Sequence, residues 1–302
     1  MALSKQLADR AGYTAMVATR ACLRLLGVTR ASRFMGHVWA FTAPFTKRHK
    51  RALTQIAAAM PELSQQQRQT IIRRMWKGLG QTFAEALLLE EITEQPERVR
   101  VLHPDRLAEL LEPDKRKGGV LYISMHSGNW EVFGIPLLHL GLRAAALYQP
   151  VQNRLMEADL LRRRQTLFRE GMIAKGSQAI KRVIRILKSG NAVGMLSDQR
   201  QNHRGIMVDF FGHPAPTTPL PAMLARRTDA RLIVVRCLRL GPAQFEIDFK
   251  ELSVPKTDDI DADIESITRD IQAQLEAWIR ERPQEWMWGH RRWSREVLTP
   301  SH

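Results

Sequence analysis

The sequence predicts an α/β fold: an α/β sandwich built on a mostly parallel central sheet flanked by helices, with basic amphipathic helices ahead of it. Three observations carry this. Short apolar runs with the length and residue types of buried strands alternate with longer stretches whose apolar residues recur at helical spacing. Polar residues able to do chemistry gather where the strand-like runs end, which is where open α/β sheets place their sites. The N-terminus stands apart, because residues 1–51 hold ten Lys and Arg and one acid, Asp9, a net charge of +9.

Taken in order, Tyr13 to Leu26 reads as an amphipathic helix for a membrane interface, with Arg20 and Arg24 snorkelling towards headgroups. Trp39, Phe41 and Phe45 add interfacial aromatics. The run from Phe34 to Thr46 is uncharged apart from His37 and contains Pro44. It falls short of the roughly 20 apolar residues a span needs. Ser64 and Gln67 form a capping box for a helix towards Ile92, with an inward stripe of Ile71, Met75, Leu79, Phe83 and Leu87. Gly78 and Gly80 suit close packing on that helix.

A short helix follows over Pro104 to Glu112, then a strand over 118–125 and an apolar helix over Val132 to Leu140 that Pro136 must kink or restart. Ala144 to Tyr148 reads as a strand and Leu155 to Phe168 as a basic helix. Ser177 is placed to cap a helix that Gly190 ends. Strands are expected over Ala192 to Ser197, Ile206 to Phe211, Leu232 to Leu238 and Phe245 to Phe249, with a helix over Leu220 to Thr228. A long helix over Asp261 to Glu281 turns Ile264, Ile267, Ile271, Leu275 and Trp278 inward, and the acids at its start suit the helix dipole.

The chain of 302 residues is 44% hydrophobic, enough for a large core, and its net charge of +15 asks for an anionic partner. Nucleic acid fits the charge, but no zinc-finger spacing or RNP-like motif accompanies it. Cys22 and Cys237 are too few for a disulfide framework.

The stretch His126-Ser-Gly-Asn-Trp-Glu131 falls where the 118–125 strand hands over to a helix. Residues five apart lie about 140° apart around a helix, so His126 and Glu131 can meet only across a bend. Ser127, Gly128 and Asn129 supply that bend, and Asn129 is a plausible N-cap. An ionised Glu131 in the first turn then accepts a hydrogen bond from His126 and leaves its other ring nitrogen as a base. Asp198-Gln199-Arg200 also follows a strand, and two such loops can converge in a parallel sheet; in isolation it reads as a loop salt bridge. Phe210 to Thr218 reads as an apolar wall followed by a turn. Trp286-Met-Trp-Gly-His-Arg-Arg-Trp293 reads as a cation–π cluster, a headgroup site or a segment pinned to the core.

Together these segments resemble the bacterial lipid A biosynthesis lauroyl/myristoyl acyltransferases over residues 60 to 293. The matching pieces are His126 to Glu131, Tyr148 to Pro150 with Asn153, Asp198 to Arg200, Phe210 to Gly212 and Trp286 to Trp293. The basic, aromatic N-terminus is expected to be a segment associating with anionic membrane lipids over 1–60, ahead of an acyltransferase domain over 61–302, and the resemblance implies work at the cytoplasmic face of the inner membrane. It implies acyl transfer from acyl carrier protein to a hydroxyl of a hydroxyacyl chain on a lipid A precursor, with no metal or nucleotide cofactor. It makes His126 the general base and Glu131 its orienting partner. Asn129, Arg162, Arg163, Arg164, Asp198, Gln199 and Arg200 become candidates for contacting substrate. The acceptor stays open between lipid A, another glycolipid and a lysophospholipid. The Pro219-Leu-Pro221 sequence and the lack of a clear apolar anchor depart from the family pattern.

Overall fold

A computed structural model describes residues 2–112, 118–201 and 205–298. The chain opens on α1 (Ala2–Thr42), a helical rod interrupted at Gly27, followed by α2 (Lys47–Ala59) and α3 (Gln65–Leu87). The Ser64–Gln67 capping box forms at the start of α3. Helix α3 ends at Leu87, and a short α4 (Leu89–Thr93) carries the chain on, so the expected single helix is broken at Leu88. Met75, Leu79 and Leu87 are buried as expected, whereas Phe83 is 38% exposed and Ile72 takes the place given to Ile71. Helix α1 lies along α3, closest at Gly80, where a Cβ would come within 2.4 Å of the Met35 carbonyl oxygen. Gly78 meets no such neighbour.

Then come β1 (Val99–Val101), α5 (Pro104–Leu110), β2 (Val120–Ser124), α6 (Gly134–His139), β3 (Ala144–Tyr148), α7 (Arg154–Arg164), β4 (Gly171–Ala174), α8 (Ala179–Lys188) and β5 (Ala192–Leu196). A hairpin of β6 (Ile206–Phe210) and β7 (His213–Thr217) precedes α9 (Leu220–Thr228), β8 (Arg231–Gly241), β9 (Gln244–Leu252), α10 (Ile260–Glu281) and α11 (Arg295–Leu298). The seven-stranded sheet runs β1-β9-β8-β2-β5-β3-β4, parallel throughout except between β8 and β9.

Three details differ from the sequence reading, and one alternative it left open is resolved. The Ile206 strand lies outside the sheet, paired antiparallel with β7. The stretch after it is therefore a strand rather than a turn; Pro214 and Pro216 hide that signal, because proline cannot donate to a central ladder. Of the two outcomes expected at Pro136 the structure shows the restart: a separate 3₁₀ turn over Trp130–Phe133 precedes α6, and Pro136 is the third residue of that new helix. Ser177 does not cap α8, whose N-cap Gln178 makes no side-chain bond.

The sheet buries both faces, as a parallel sheet must. Leu121 and Ile123 of β2 face a core shared with α8, α9, α10 and the C-terminal tryptophans. Val120 and Tyr122 face the other core, with α5, α6 and Phe168. Among the described residues, no helix is long and apolar enough to cross a membrane. The aromatics at the end of α1 divide: Phe41 and Phe45 are exposed, while Trp39 packs against Trp76 and Phe83.

Candidate active site

Strands β2 and β5 are neighbours in parallel register, with Ser124 opposite Leu196. Two residues beyond each strand end stand His126 and Asp198, so the register itself brings them together. His126 Nδ1 lies 2.8 Å from Asp198 Oδ1. The other carboxylate oxygen accepts the His126 backbone N–H at 2.9 Å and the Trp286 indole N–H at 2.8 Å. Burial alone would raise the Asp198 carboxyl, but the His126 charge and the bonds from His126 and Trp286 outweigh it and hold the carboxyl at about 2. Trp286 belongs to the C-terminal segment, which pins itself beside the loop: Met287 N–H donates to the His126 carbonyl at 3.0 Å and Gly128 N–H to that of Glu285 at 3.2 Å. Two of the three readings of that segment hold together: it is pinned to the core, with Trp286, Trp288, Arg292 and Trp293 buried, and it makes a cation–π contact, with the Arg292 guanidinium 4.8 Å from the Phe210 ring centre.

The expected pairing of His126 with Glu131 is not what the turn produces. Gly128 adopts φ +58°, and a Cβ there would approach the Cys237 carbonyl oxygen to 2.1 Å, so the bend is built for glycine. It turns Glu131 away from the histidine towards α7. There Arg164 grips the carboxylate with two nitrogens, Nε donating to Oε2 at 2.7 Å. The orienting carboxylate of His126 is Asp198, supplied by the next strand.

The other candidates separate by position. Asn129 caps the 3₁₀ turn by accepting the Glu131 N–H at 3.0 Å, and its amide donates to Glu85 at 2.9 Å. It is wholly buried, so it holds the turn rather than meeting substrate. Glu85 in turn is gripped by Arg239, with Nη2 donating at 2.8 Å, and accepts from Ser32 at 2.7 Å and from Ala243 N–H at 3.0 Å. Burial opposes the Arg239 charge, but Glu85 more than offsets it and raises the guanidinium. Of the three consecutive arginines, Arg162 is exposed and pairs with Asp159, and Arg163 is buried against Asp159 and the Ala86 carbonyl. Arg164 alone of these three reaches the cavity described next.

That cavity measures about 530 Å³ and opens between the ends of β2, β3 and β5. His126, Glu131, Tyr148, Arg164, Lys175, Gln199 and Arg200 line it, and Tyr122, Phe133, Ala146, Phe168, Met172 and Ile180 give it apolar walls. The Gln199 amide nitrogen lies 3.1 Å from His126 Nε2. Sequence reasoning missed three partners: Trp286 as a donor to Asp198, His290 stacked 5.9 Å from the His126 ring, and the Glu85–Arg239 pair beneath the turn. Both Trp286 and His290 lay within the aromatic C-terminal stretch, whose pattern pointed to a cluster but not to its target. Burial, followed by the neighbouring His126 charge, lowers His290, which favours its neutral ring.

A cavity with apolar walls and a carboxylate-oriented histidine at its polar mouth suits an acyltransferase: room for a hydrocarbon chain, and a group able to act as a base beside the atom that accepts it. Sequence comparison gives the particular family. The model of the bacterial lipid A biosynthesis acyltransferases matches residues 4–295, and the chain belongs to that family. It is 23% identical over 266 residues to the lipid A biosynthesis myristoyltransferase of Escherichia coli (strain K12), covering 86% of this chain and 78% of that protein. The lipid A biosynthesis acyltransferase 1 of Shigella flexneri matches to the same extent, 23% over 266 residues. The phosphatidylinositol mannoside acyltransferase of Mycobacterium tuberculosis (strain ATCC 25618 / H37Rv) is 26% identical over 176 residues, 56% of this chain. That match spans about half the length of the mycobacterial relative, 52%.

Proposed function

We propose that the chain transfers a fatty acyl group from acyl carrier protein to a hydroxyl of a hydroxyacyl chain on a lipid A precursor. The observation that carries the reading is His126: its Nδ1 is tied to the buried Asp198, which leaves Nε2 as the ring's acceptor at the cavity mouth, facing the Gln199 amide until the acceptor hydroxyl takes that place. The acceptor hydroxyl attacks the thioester carbonyl and gives its proton to Nε2. The tetrahedral oxyanion collapses, the carbon–sulfur bond breaks, and the imidazolium returns the proton to the leaving thiolate. Such a base contributes about 10²–10⁴-fold. Gln199 and Arg200 line the same mouth and are the donors offered to the oxyanion. Arg164, held in place by Glu131, faces the cavity as the cation for an anionic headgroup or for the donor's phosphopantetheine.

The reaction takes place at the cytoplasmic face of the inner membrane, on anionic lipids, with α1 and the turn after it, which expose Phe41 and Phe45, as the contact. The test is mass spectrometry of lipid A from cells with and without the gene, complemented by the His126→Ala chain. Loss of one acyl chain in the deletion, restored by wild type and not by the variant, is expected. Unchanged lipid A overturns the acceptor. A second reading, another glycolipid as acceptor, is favoured by the match to the mycobacterial enzyme named for a mannoside. A mass change in a different glycolipid of the deletion strain would select it.

A further inference from the structure

We propose that α8 is the docking surface for the acidic face of the acyl carrier protein, seated beside the cavity mouth rather than over it. The inference rests on the carrier-protein donor proposed above. Residues 171–191 contain five cations, Lys175, Lys181, Arg182, Arg185 and Lys188, and no acid. On α8, Val183, Ile186 and Leu187 are buried, while Lys181, Arg185 and Lys188 recur on the opposite, exposed stripe.

Surface helices usually mix signs. In α10, Arg269 pairs with Glu265 and Arg280 with Glu276, each four residues apart. Nothing comparable occurs on α8. Among the described residues, no carboxylate pairs with Lys181, Arg185 or Lys188, and the nearby acid Glu170 is taken by Arg143. Arg182 is committed to the backbone carbonyl of Glu170 at 2.7 Å. A stripe of like charge repels itself unless a partner supplies the opposite sign.

Position selects the partner. The start of α8 is the rim of the cavity, because Lys175, Gly176 and Ile180 line it and are exposed. A thioester carried on a flexible arm enters the cavity while its carrier rests outside. The carrier therefore needs a rigid, complementary surface next to the opening, and a helix of ten residues offers about 15 Å of it. A bilayer fits this face less well. Ile180 is the exposed large apolar side chain of α8, whereas Phe34, Phe41 and Phe45 project from α1 and the turn after it, and α1 packs on α3 and α7.

The test compares wild type with Lys181→Glu/Arg185→Glu/Lys188→Glu, none of which lines the cavity. Two donors are used with the acceptor in detergent micelles: acyl carrier protein, and the same acyl group on N-acetylcysteamine. The expected result is a KM for the carrier raised about tenfold or more, with a weaker salt dependence, and an unchanged rate from the small thioester. The neutral variant Lys181→Gln/Arg185→Gln/Lys188→Gln should fall between the two. An unchanged carrier KM overturns the proposal, even if vesicle binding is lost, since α8 would then be a membrane contact. Equal loss with both donors also overturns it and makes α8 a scaffold. A wild-type chain that accepts the small thioester but not the carrier refutes the donor reading itself, and the docking surface falls with it.

Discussion

His126 and Asp198 are 72 residues apart in the chain and 2.8 Å apart in space, and the parallel register of β2 and β5 accounts for it. The aspartate is fully committed: its two oxygens accept from the His126 ring, the His126 backbone and the Trp286 indole. The imidazole has one tautomer that suits this arrangement, Nδ1–H towards Asp198.

Asp198→Asn should therefore cost about 10²–10⁴-fold in kcat with the fold retained, because the amide favours the wrong tautomer and no longer stabilises the imidazolium. Single-turnover transfer, with circular dichroism for folding, measures it. The same carboxyl gives a sign for acid stability. It is lowered from 3.8 to about 2, so its contribution is complete above pH 4 and is lost as pH falls through about 2. The urea stability difference between wild type and Asp198→Asn should narrow by about 2 kcal/mol over that interval. A difference that does not change with pH would show that Asp198 is not held down by His126.

The order of elements was legible in the sequence because apolar runs and capping residues are local signals. Ser64 with Gln67 and Asn129 all cap where they should. What was not legible was which carboxylate meets His126. Spacing along the chain offered Glu131, whereas the answer depends on strand order, and the pairing of β2 with β5 is a long-range fact. Both His126 and Asp198 could be placed at strand ends, but nothing local says that those ends are adjacent. The hairpin strand His213–Thr217 was missed for the opposite reason, since its two prolines are a strong local signal that a two-stranded hairpin overrides.

The Glu131–Arg164 pair makes a different prediction. Both side chains are largely buried, at 7% and 14% exposed, so removing one partner leaves a charge without compensation. Glu131→Gln should cost about 3 kcal/mol of stability and also release Arg164 from the cavity wall. In transfer assays, the Glu131→Gln/Arg164→Gln double should be scarcely slower than the worse single, as residues acting as one unit are non-additive. Additive losses in a full cycle would separate the two residues and return Glu131 to a role of its own.

Membrane contact is predicted from point exposure rather than from the whole N-terminal segment. Leu23, Val28 and Ala31 are buried, so deleting α1 would strip the core along with the surface. Phe41 and Phe45 are 73% and 83% exposed and pack on each other with ring centres 6.2 Å apart. Phe41→Ser/Phe45→Ser should weaken cosedimentation with anionic vesicles at high salt, where apolar insertion dominates, without changing thermal stability. Equal binding by variant and wild type would remove these rings from the contact.

Tyr122 sets the last prediction, on acyl chain length. Its ring lies across Gly194, where a Cβ would stand 2.0 Å from it, and with Phe133 it lines both the main cavity and a small apolar void of about 30 Å³. Leu107, Leu137, Val235 and Phe249 line that void on the far side. The Tyr122 hydroxyl is buried without a hydrogen-bond partner among the described residues, and burial pushes the phenol well above its ordinary range. The ring therefore acts as a wall rather than as a polar contact. Tyr122→Leu should open the wall and shift the preferred donor upward by roughly two methylenes, each worth about 0.8 kcal/mol when buried. Tyr122→Phe keeps the wall, so chain length should stay fixed, while stability rises by about 1 kcal/mol because an unpaired hydroxyl is gone. Competition between acyl carrier proteins loaded with chains of different length reads the preference directly. A Tyr122→Leu enzyme that folds and keeps the wild-type preference would place the end of the chain elsewhere in the cavity.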